Sequence, residues 1–492
     1  MSQTDYERFR AFVLGKTGLD FPEDKRAMLG RGLAQVMQTT DCQDLDQLYT
    51  LLRTCSPTSA TWDELIGALT VGETYFFRNS SHFDVLAKHV LPEIIAAREH
   101  TSRRIRIWSA GCASGEEPYS IAILLRELIP NLESWNILVL GTDINREALH
   151  RAREGRYNAW SFRGVEKRVQ DTYFQQDGNQ FVIADKIKRM VTLDYLNLVG
   201  DHYPSLANNT NAMDVILCRN VTIYFSAVVT QTVLHGFHTS LVDSGWLIPG
   251  PSEPNMIFYG EFEPRNFPGT VVYQKPAVAQ VKPTPEWVFP TVLAQTAVSS
   301  PPVPSPVKPQ FPEPAQKPVA PPPKRAAPPD PYKAAVELLQ TGMADEALVK
   351  LYEKLDQDAN FAPTYIALGK IFAKKGNLEE AQHWCERAIR LDKMHPEPYY
   401  TLSMVYQQHG LLDMAIDALK KTVYLDREFV LAHYNLAQIY RHQGEKTLAR
   451  KSLENVQRLL QGKPKDTPVP EGDGLVTGRL IEIVETSLAL ED

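Results

Sequence analysis

Four stretches near the amino terminus space their apolar residues at intervals of three and four. They are "DYERFRAFVL", "EDKRAMLGRGLAQVM", "DLDQLYTLL" and "ATWDELIGALT". That period gathers the apolar side chains on one stripe of a helix, so residues 1–75 are predicted to form a helical subdomain. From about residue 103 the pattern changes. "RIRIWSA", "NILVLGTD" and "DVILCRN" read as strands, each followed by a helical stretch such as "REALHRARE" or "SAVVTQTVLHGFHTS". "GWLIPG" and "GTVVYQK" close the set. Strand–helix alternation predicts an α/β domain over 76–275, with a mostly parallel sheet covered on both faces. Between about 163 and 193 the alternation breaks. There "YFQQDGNQFVIADKIKRMVTL" predicts a small antiparallel β insert around an Asp-Gly-Asn turn.

Two further segments follow. Residues 276–330 hold 17 of the chain's 35 prolines, a composition that cannot bury a core and predicts an extended, semi-rigid linker. Its PxxP pieces would suit an SH3-like domain, but a plain spacer accounts for them. From 331 the chain repeats. Gly342, Gly376, Gly410 and Gly444 recur every 34 residues, and so do Ala347, Ala381, Ala415 and Ala449. Tyr365, Tyr399 and His433 keep step, as do Leu368, Leu402 and Leu436. This period resembles the tetratricopeptide repeat and predicts about four repeats over 331–463, an all-α solenoid whose first unit acts as a cap. Residues 464–492 read as a mobile polar tail, with "RLIEIVETSLAL" as a short helix able to dock on the array.

Composition narrows the class. A net charge of −7 carries no bulk signature for nucleic acid. Cys42, Cys55, Cys112, Cys218 and Cys385 are odd in number and show no CxxC spacing, which predicts reduced thiols, no disulfide frame and no metal site. The start, "MSQTDYERFRAF", lacks the apolar core of a signal peptide, and no apolar run approaches about 20 residues. A cytoplasmic location is expected.

The chemistry is concentrated in "SAGCASGEEPYS", residues 109–120, between a strand and a helix. Gly111 and Gly115 give G-x-x-x-G, not the G-x-G-x-x-G of dinucleotide enzymes. Glu116 and Glu117 would repel a pyrophosphate. Asp143, closing the second strand, is placed to accept both hydroxyls of a ribose. S-adenosylmethionine (SAM) has a ribose, a cationic sulfonium and no phosphate. Acids at a helix start are also favoured without any ligand, so this turn alone leaves the functional and the structural readings balanced.

"TYFFRN" (74–79), "SGEEPYS" (114–120), "TDIN" (142–145), "LNL" (196–198), "CRNVTIYF" (218–225) and "GPSEP" (250–254) occur in that order. Together they resemble the CheR-type chemoreceptor glutamate O-methyltransferase, over residues from about 5 to 275. A subgroup of that family carries a C-terminal tetratricopeptide array. The resemblance implies a SAM-dependent, Rossmann-like methyltransferase domain that methylates the cytoplasmic domain of methyl-accepting chemoreceptors, recruited to membrane receptor arrays, with the tetratricopeptide array taking a protein partner. Neither nucleic acid nor membrane insertion is implied.

Carried residue by residue, the resemblance implies SAM contacts at Gly72, Thr74, Arg78, Glu117, Asp143, Asn197, Leu198, Arg219 and Asn220. Gly72 stands where the family often has Asn. Arg78, Arg219 and Tyr224 are implied in catalysis; the two arginines share the tasks of orienting the incoming carboxylate and holding the methionine carboxylate, and sequence does not divide these. Phe76 and Phe77 read as core; His82, His89 and His150 read as structural. Lys25, Arg26 and Arg31 leave a thin basic face toward the receptor, and the short "QQDGNQ" loop predicts no grip on a receptor peptide tether. Two other classes compete: a non-catalytic scaffold with a vestigial methyltransferase fold, and a dinucleotide-dependent oxidoreductase.

Overall fold

A computed structural model describes residues 1–55, 59–254, 258–277 and 330–489. The expected linker lies, from 278 to 329, outside the described residues.

The amino-terminal helices run Gln3–Thr17, Arg26–Thr39, Leu45–Thr54 and Ala60–Leu69. Three start on side-chain caps: Ser2 accepts from Asp5 N, Asp44 from Gln47 N and Ser59 from Trp62 N, each meeting a donor the first turn leaves orphaned. The apolar stripes converge on Phe9, Leu29, Leu33, Leu48 and Leu65, all buried. Gly32 lets two of these helices touch, since a Cβ there would stand 2.6 Å from Leu69 Cδ2.

The central sheet has seven strands: β1 (Arg104–Ala110), β2 (Asn136–Asp143), β6 (Val191–Tyr195), β7 (Met213–Cys218), β8 (Leu241–Pro249), β9 (Glu263–Phe267) and β10 (Thr270–Gln274). Their order is β6-β2-β1-β7-β8-β10-β9. The first five are parallel, and β10 and β9 add antiparallel at one edge. β1 is buried along its whole length, as a central strand covered on both faces must be. The chain leaves β1 toward β2 on one side and later places β7 on the other. The carboxyl ends of these strands therefore splay into a crevice, the place where open α/β sheets bind ligands. The insert is a three-stranded antiparallel sheet of β3 (Arg156–Asn158), β4 (Phe174–Asp177) and β5 (Gln180–Ile183), ordered β3-β5-β4. A tight turn joins β4 to β5, with Gly178 at φ 61°.

Eight helices in four antiparallel pairs form the array, from Pro331–Gln340 to Lys446–Leu460. Each periodic glycine terminates the first helix of a pair in the left-handed region, at φ 74–80°. Each periodic alanine is fully buried where two helices cross. The array rests on the α/β domain: Arg104 Nη1 donates to Gln408 Oε1 (2.5 Å), and Asn136 Nδ2 donates to the Gln407 carbonyl (3.3 Å).

The tail departs from expectation only in the stretch before its short helix, which does dock on the array. Residues 464–489 are ordered, with a loop closed by a Pro468–Val476 bridge and a helix at Thr477–Ala489. Val469, Leu480 and Val484 join the array's core, which removes the freedom a polar, aperiodic sequence suggested.

Candidate active site

The turn after β1 is fixed by backbone bonds to β2. Gly111 N and Cys112 N both donate to the Thr142 carbonyl, at 2.8 and 2.9 Å. Gly111 (φ 79°) and Gly115 (φ 91°) supply the left-handed residues this turn requires, and Gly115 leads into the helix Glu116–Leu128. Cys112 is buried and its thiol is pushed well up by burial, so it serves as a small packing residue and not as a nucleophile.

Two cavities open on this crevice. The smaller, about 100 Å³, has apolar walls from Leu69, Ile144, Leu196, Leu198, Val221 and others, and among the described residues its one charged lining residue is Asp143. Asp143 Oδ2 accepts from Ala113 N and Oδ1 from Asn145 N, both at 2.8 Å. Burial nevertheless raises its pKa. Gly72 also lines this cavity, and a Cβ there would meet no atom within 4 Å. Tyr224 borders it half-buried, with its carbonyl accepting from Asp20 N at 2.8 Å and Lys25 Nζ 5.5 Å above its ring. The helical subdomain thus closes one side of the crevice.

The larger cavity, about 510 Å³, is polar and open, lined by Glu73, Tyr75, Arg78, Asn79, Arg163, Asn220, Pro251 and Ser252. Arg78 Nη1 donates to the Glu73 carbonyl (2.6 Å). Arg163 stacks on Tyr75 (3.8 Å) and pairs with Glu73 (3.0 Å). Asn220 lines both cavities. Its backbone is left-handed (φ 59°), and its Oδ1 is buried with no hydrogen-bond partner among the described residues.

Glu117 and Arg219 line neither cavity. They pair behind the crevice wall, Arg219 Nη1 to Glu117 Oε2 at 2.9 Å, with side chains 2% and 12% exposed. Ser109 Oγ donates to Glu117 Oε1 (2.7 Å), while Arg219 Nη2 donates to Asn79 Oδ1 (2.9 Å) and to the Arg78 carbonyl. Arg219 therefore anchors the segment that presents Arg78. Thr74 is half-buried and lines neither cavity. Asn197 lines the smaller cavity, but its amide is spent on structure: Nδ2 donates to the Lys16 carbonyl (2.8 Å) and Oδ1 accepts from Val199 N (3.0 Å). Phe76 is core, packed among Tyr157, Phe162 and Phe174, and His82 is buried. Glu116 is also buried, accepting from Ser114 and Ser161.

Glu253 escaped the sequence reading. Its Oε1 accepts from Val221 N (2.8 Å), Thr222 N (2.8 Å) and Thr222 Oγ1 (2.9 Å). Its Oε2 accepts from Asn220 N (2.9 Å) and Gly250 N (2.5 Å). One buried carboxylate thus holds the strained loop that carries Asn220. The signal was present in "GPSEP", a motif that held its place in the order without a task.

An apolar slot with a single acid and no cation among its described lining residues accepts a nucleoside and disfavours a pyrophosphate. The unpartnered Asn220 oxygen leaves a hydrogen bond for a ligand to complete. Fold and site together define a SAM-dependent methyltransferase. Comparison with known proteins agrees. Residues 72–263 match the CheR methyltransferase SAM binding domain, residues 4–70 its all-alpha domain, and 362–393, 396–429 and 430–459 match tetratricopeptide repeats. Chemotaxis protein methyltransferase 2 of Vibrio cholerae is 34% identical over 281 residues, 56% of this chain and 94% of that protein. The probable biofilm formation methyltransferase WspC of Pseudomonas aeruginosa is 27% identical over 397 residues, 80% of this chain and 92% of that one. The chain belongs to the CheR methyltransferase family. No helix among the described residues is long and apolar enough to cross a membrane.

Proposed function

We propose that this chain transfers a methyl group from SAM to glutamate γ-carboxylates on the cytoplasmic domain of a methyl-accepting chemoreceptor. The observation that carries this reading is the meeting of two unlike cavities at Asn220, one apolar with a lone acid, the other open and bordered by Arg78 and Arg163. Asp143 would hold the ribose, Leu196 and Leu198 would flank the base, and Asn220 would complete its missing hydrogen bond on the ligand. Bound there, SAM supplies an electrophilic methyl group. A glutamate side chain is already ionised at neutral pH, with an unperturbed pKa of about 4.3, so the reaction requires no general base. The chain's own task is placement. Arg78 and Arg163 attract the acceptor carboxylate to the open cavity, and Tyr224 walls the passage between the subdomains. Alignment of this kind contributes at most roughly 7–11 kcal/mol. Glu117 and Arg219 act through position, keeping Arg78 and the turn after β1 in place. The array binds a protein partner and brings the enzyme to receptor assemblies at the cytoplasmic face of the membrane.

The test is methyl transfer from methyl-labelled SAM to purified receptor cytoplasmic domain. Label released as methanol by mild alkali identifies a carboxyl ester. Label that resists alkali, or binding of SAM without any transfer, would refute the assignment, and the second result would favour the scaffold reading.

A further inference from the structure

The first helices of the last three repeat pairs are Ala362–Lys374, Glu397–Gln408 and Val430–His442. Lys370 and Lys374 project from the first of these, and both meet acids of the chain's own tail; Lys370 also pairs with Glu397 of the array. Lys370 Nζ lies 2.7 Å from Glu471 Oε2, and Lys374 Nζ lies 2.5 Å from Asp473 Oδ1. The two acids sit on the loop closed by the Pro468–Val476 bridge, where Val469 N donates to the Leu475 carbonyl at 2.7 Å. Both have left-handed backbones, φ 62° for Glu471 and 48° for Asp473, a conformation that non-glycine residues adopt only at a cost. Flanking apolar residues Val469, Leu480 and Val484 pack into the same core as Tyr400 and Tyr434. The segment therefore binds as a peptide ligand does, with two charges on two lysines and apolar anchors beside them. It also reaches the α/β domain. Arg479 stacks on Tyr195 (3.9 Å), which directly precedes the Leu196–Leu198 wall of the smaller cavity, and lies 4.0 Å from Asp201.

We propose that the lysine-bearing face of the array is a binding site for an acidic peptide, and that residues 464–489 occupy it as a built-in competitor. The partner carries two acids one residue apart, followed by an amphipathic helix, and it displaces the tail to gain access. Displacement also lifts Arg479 from Tyr195. Partner binding is thereby linked to the wall of the nucleoside cavity.

Residues 461–466 form an exposed turn, so the folded full chain can be nicked there through an inserted protease site. Nicking removes the tether that otherwise keeps the tail at an effective concentration of the order of mM. Fluorescence anisotropy then follows a labelled synthetic peptide of residues 464–489. Nicked protein is expected to exchange its tail for the labelled peptide, while intact protein binds at least tenfold more weakly. A peptide with E471K and D473K is expected to bind at least tenfold more weakly than the native one, and added salt to weaken the native peptide. Failure of the nicked protein to exchange, or equal binding of the charge-reversed peptide, would overturn the proposal. An independent measurement uses the intact chain with E471K and D473K. Hydrogen exchange over 477–489 should be faster than in the unaltered chain, and unchanged protection refutes the role of the two acids.

Discussion

Replacing Glu253 with glutamine changes no shape and removes one charge, which makes it a sharp probe of how the Asn220 loop is held. The two carboxylate oxygens divide five donors between them, three on Oε1 and two on Oε2. A glutamine offers one carbonyl oxygen, and its NH₂ group must face the other set of donors. In one orientation the carbonyl keeps the three donors from Val221 and Thr222, and the NH₂ faces Asn220 N and Gly250 N. At least two charge-assisted bonds are then lost, each worth about 1.5–3 kcal/mol, giving about 3–6 kcal/mol. Rotating the amide strands two backbone donors as well, Val221 N and Thr222 N, since the Thr222 hydroxyl can turn to accept. Glu253 is 7% exposed, so water cannot readily replace what is lost.

A cost of that size approaches the whole stability of an ordinary domain, about 5–15 kcal/mol. The loop has a cheaper escape, which is to open locally and hydrate its amides. Opening would also release Asn220 from φ 59°. Glu253→Gln should therefore lose amide protection at 219–223 and 250–253, and its SAM affinity should fall at least tenfold by calorimetric titration. Global unfolding in urea should shift by less than the bond count suggests. Intact protection together with SAM affinity within twofold of the parent would refute the claim that this carboxylate holds the site.

Three further outcomes follow from the same geometry. Arg219→Ala strands the Glu117 carboxylate behind the crevice wall and should cost about 3–5 kcal/mol in urea unfolding, part of which Glu117→Gln restores in the double variant. Burial raises the Asp143 pKa above its ordinary 3.8, so SAM affinity should begin to fall on acidification at a higher pH than an exposed aspartate would give; Asp143→Asn should bind weakly with a flat profile. Burial, aided by the charge of Arg219, lowers the His82 pKa from 6.5 to about 4. The unfolded chain then binds more protons than the folded one between those values, so stability should decline by about 3 kcal/mol as pH falls through that window, and His82→Phe should flatten the decline.

Periodicity carried much of the fold. The helical stripes, the strand–helix alternation and the 34-residue repeat each reflect one element burying one face, which a local pattern records. The site was legible in composition more than in contacts. Gly72, Asp143, Asn197, Leu198, Asn220 and Tyr224 do line the smaller cavity, and Arg78 lines the larger one. What the sequence could not convey is how predicted residues spend their bonding capacity. Glu117 and Arg219, read separately as ligand contacts, meet each other across 102 positions of chain. The amide of Asn197 is occupied by Lys16.

The tail shows why polarity is a poor guide to mobility. "VPEGDG" has no apolar period and few large side chains, so nothing local orders it. Its order comes from Lys374, 99 residues upstream of Asp473, and from Lys370 beside it. Those lysines also look like ordinary solvated helix residues until the solenoid brings them to one face. The same reasoning applies to Glu253, 33 residues from Asn220. In each case a charged side chain that reads as surface is a clamp, and its partner is fixed by strand order or repeat stacking. A carboxylate inside a motif whose other members already have tasks is therefore the first place to look for a positioning residue.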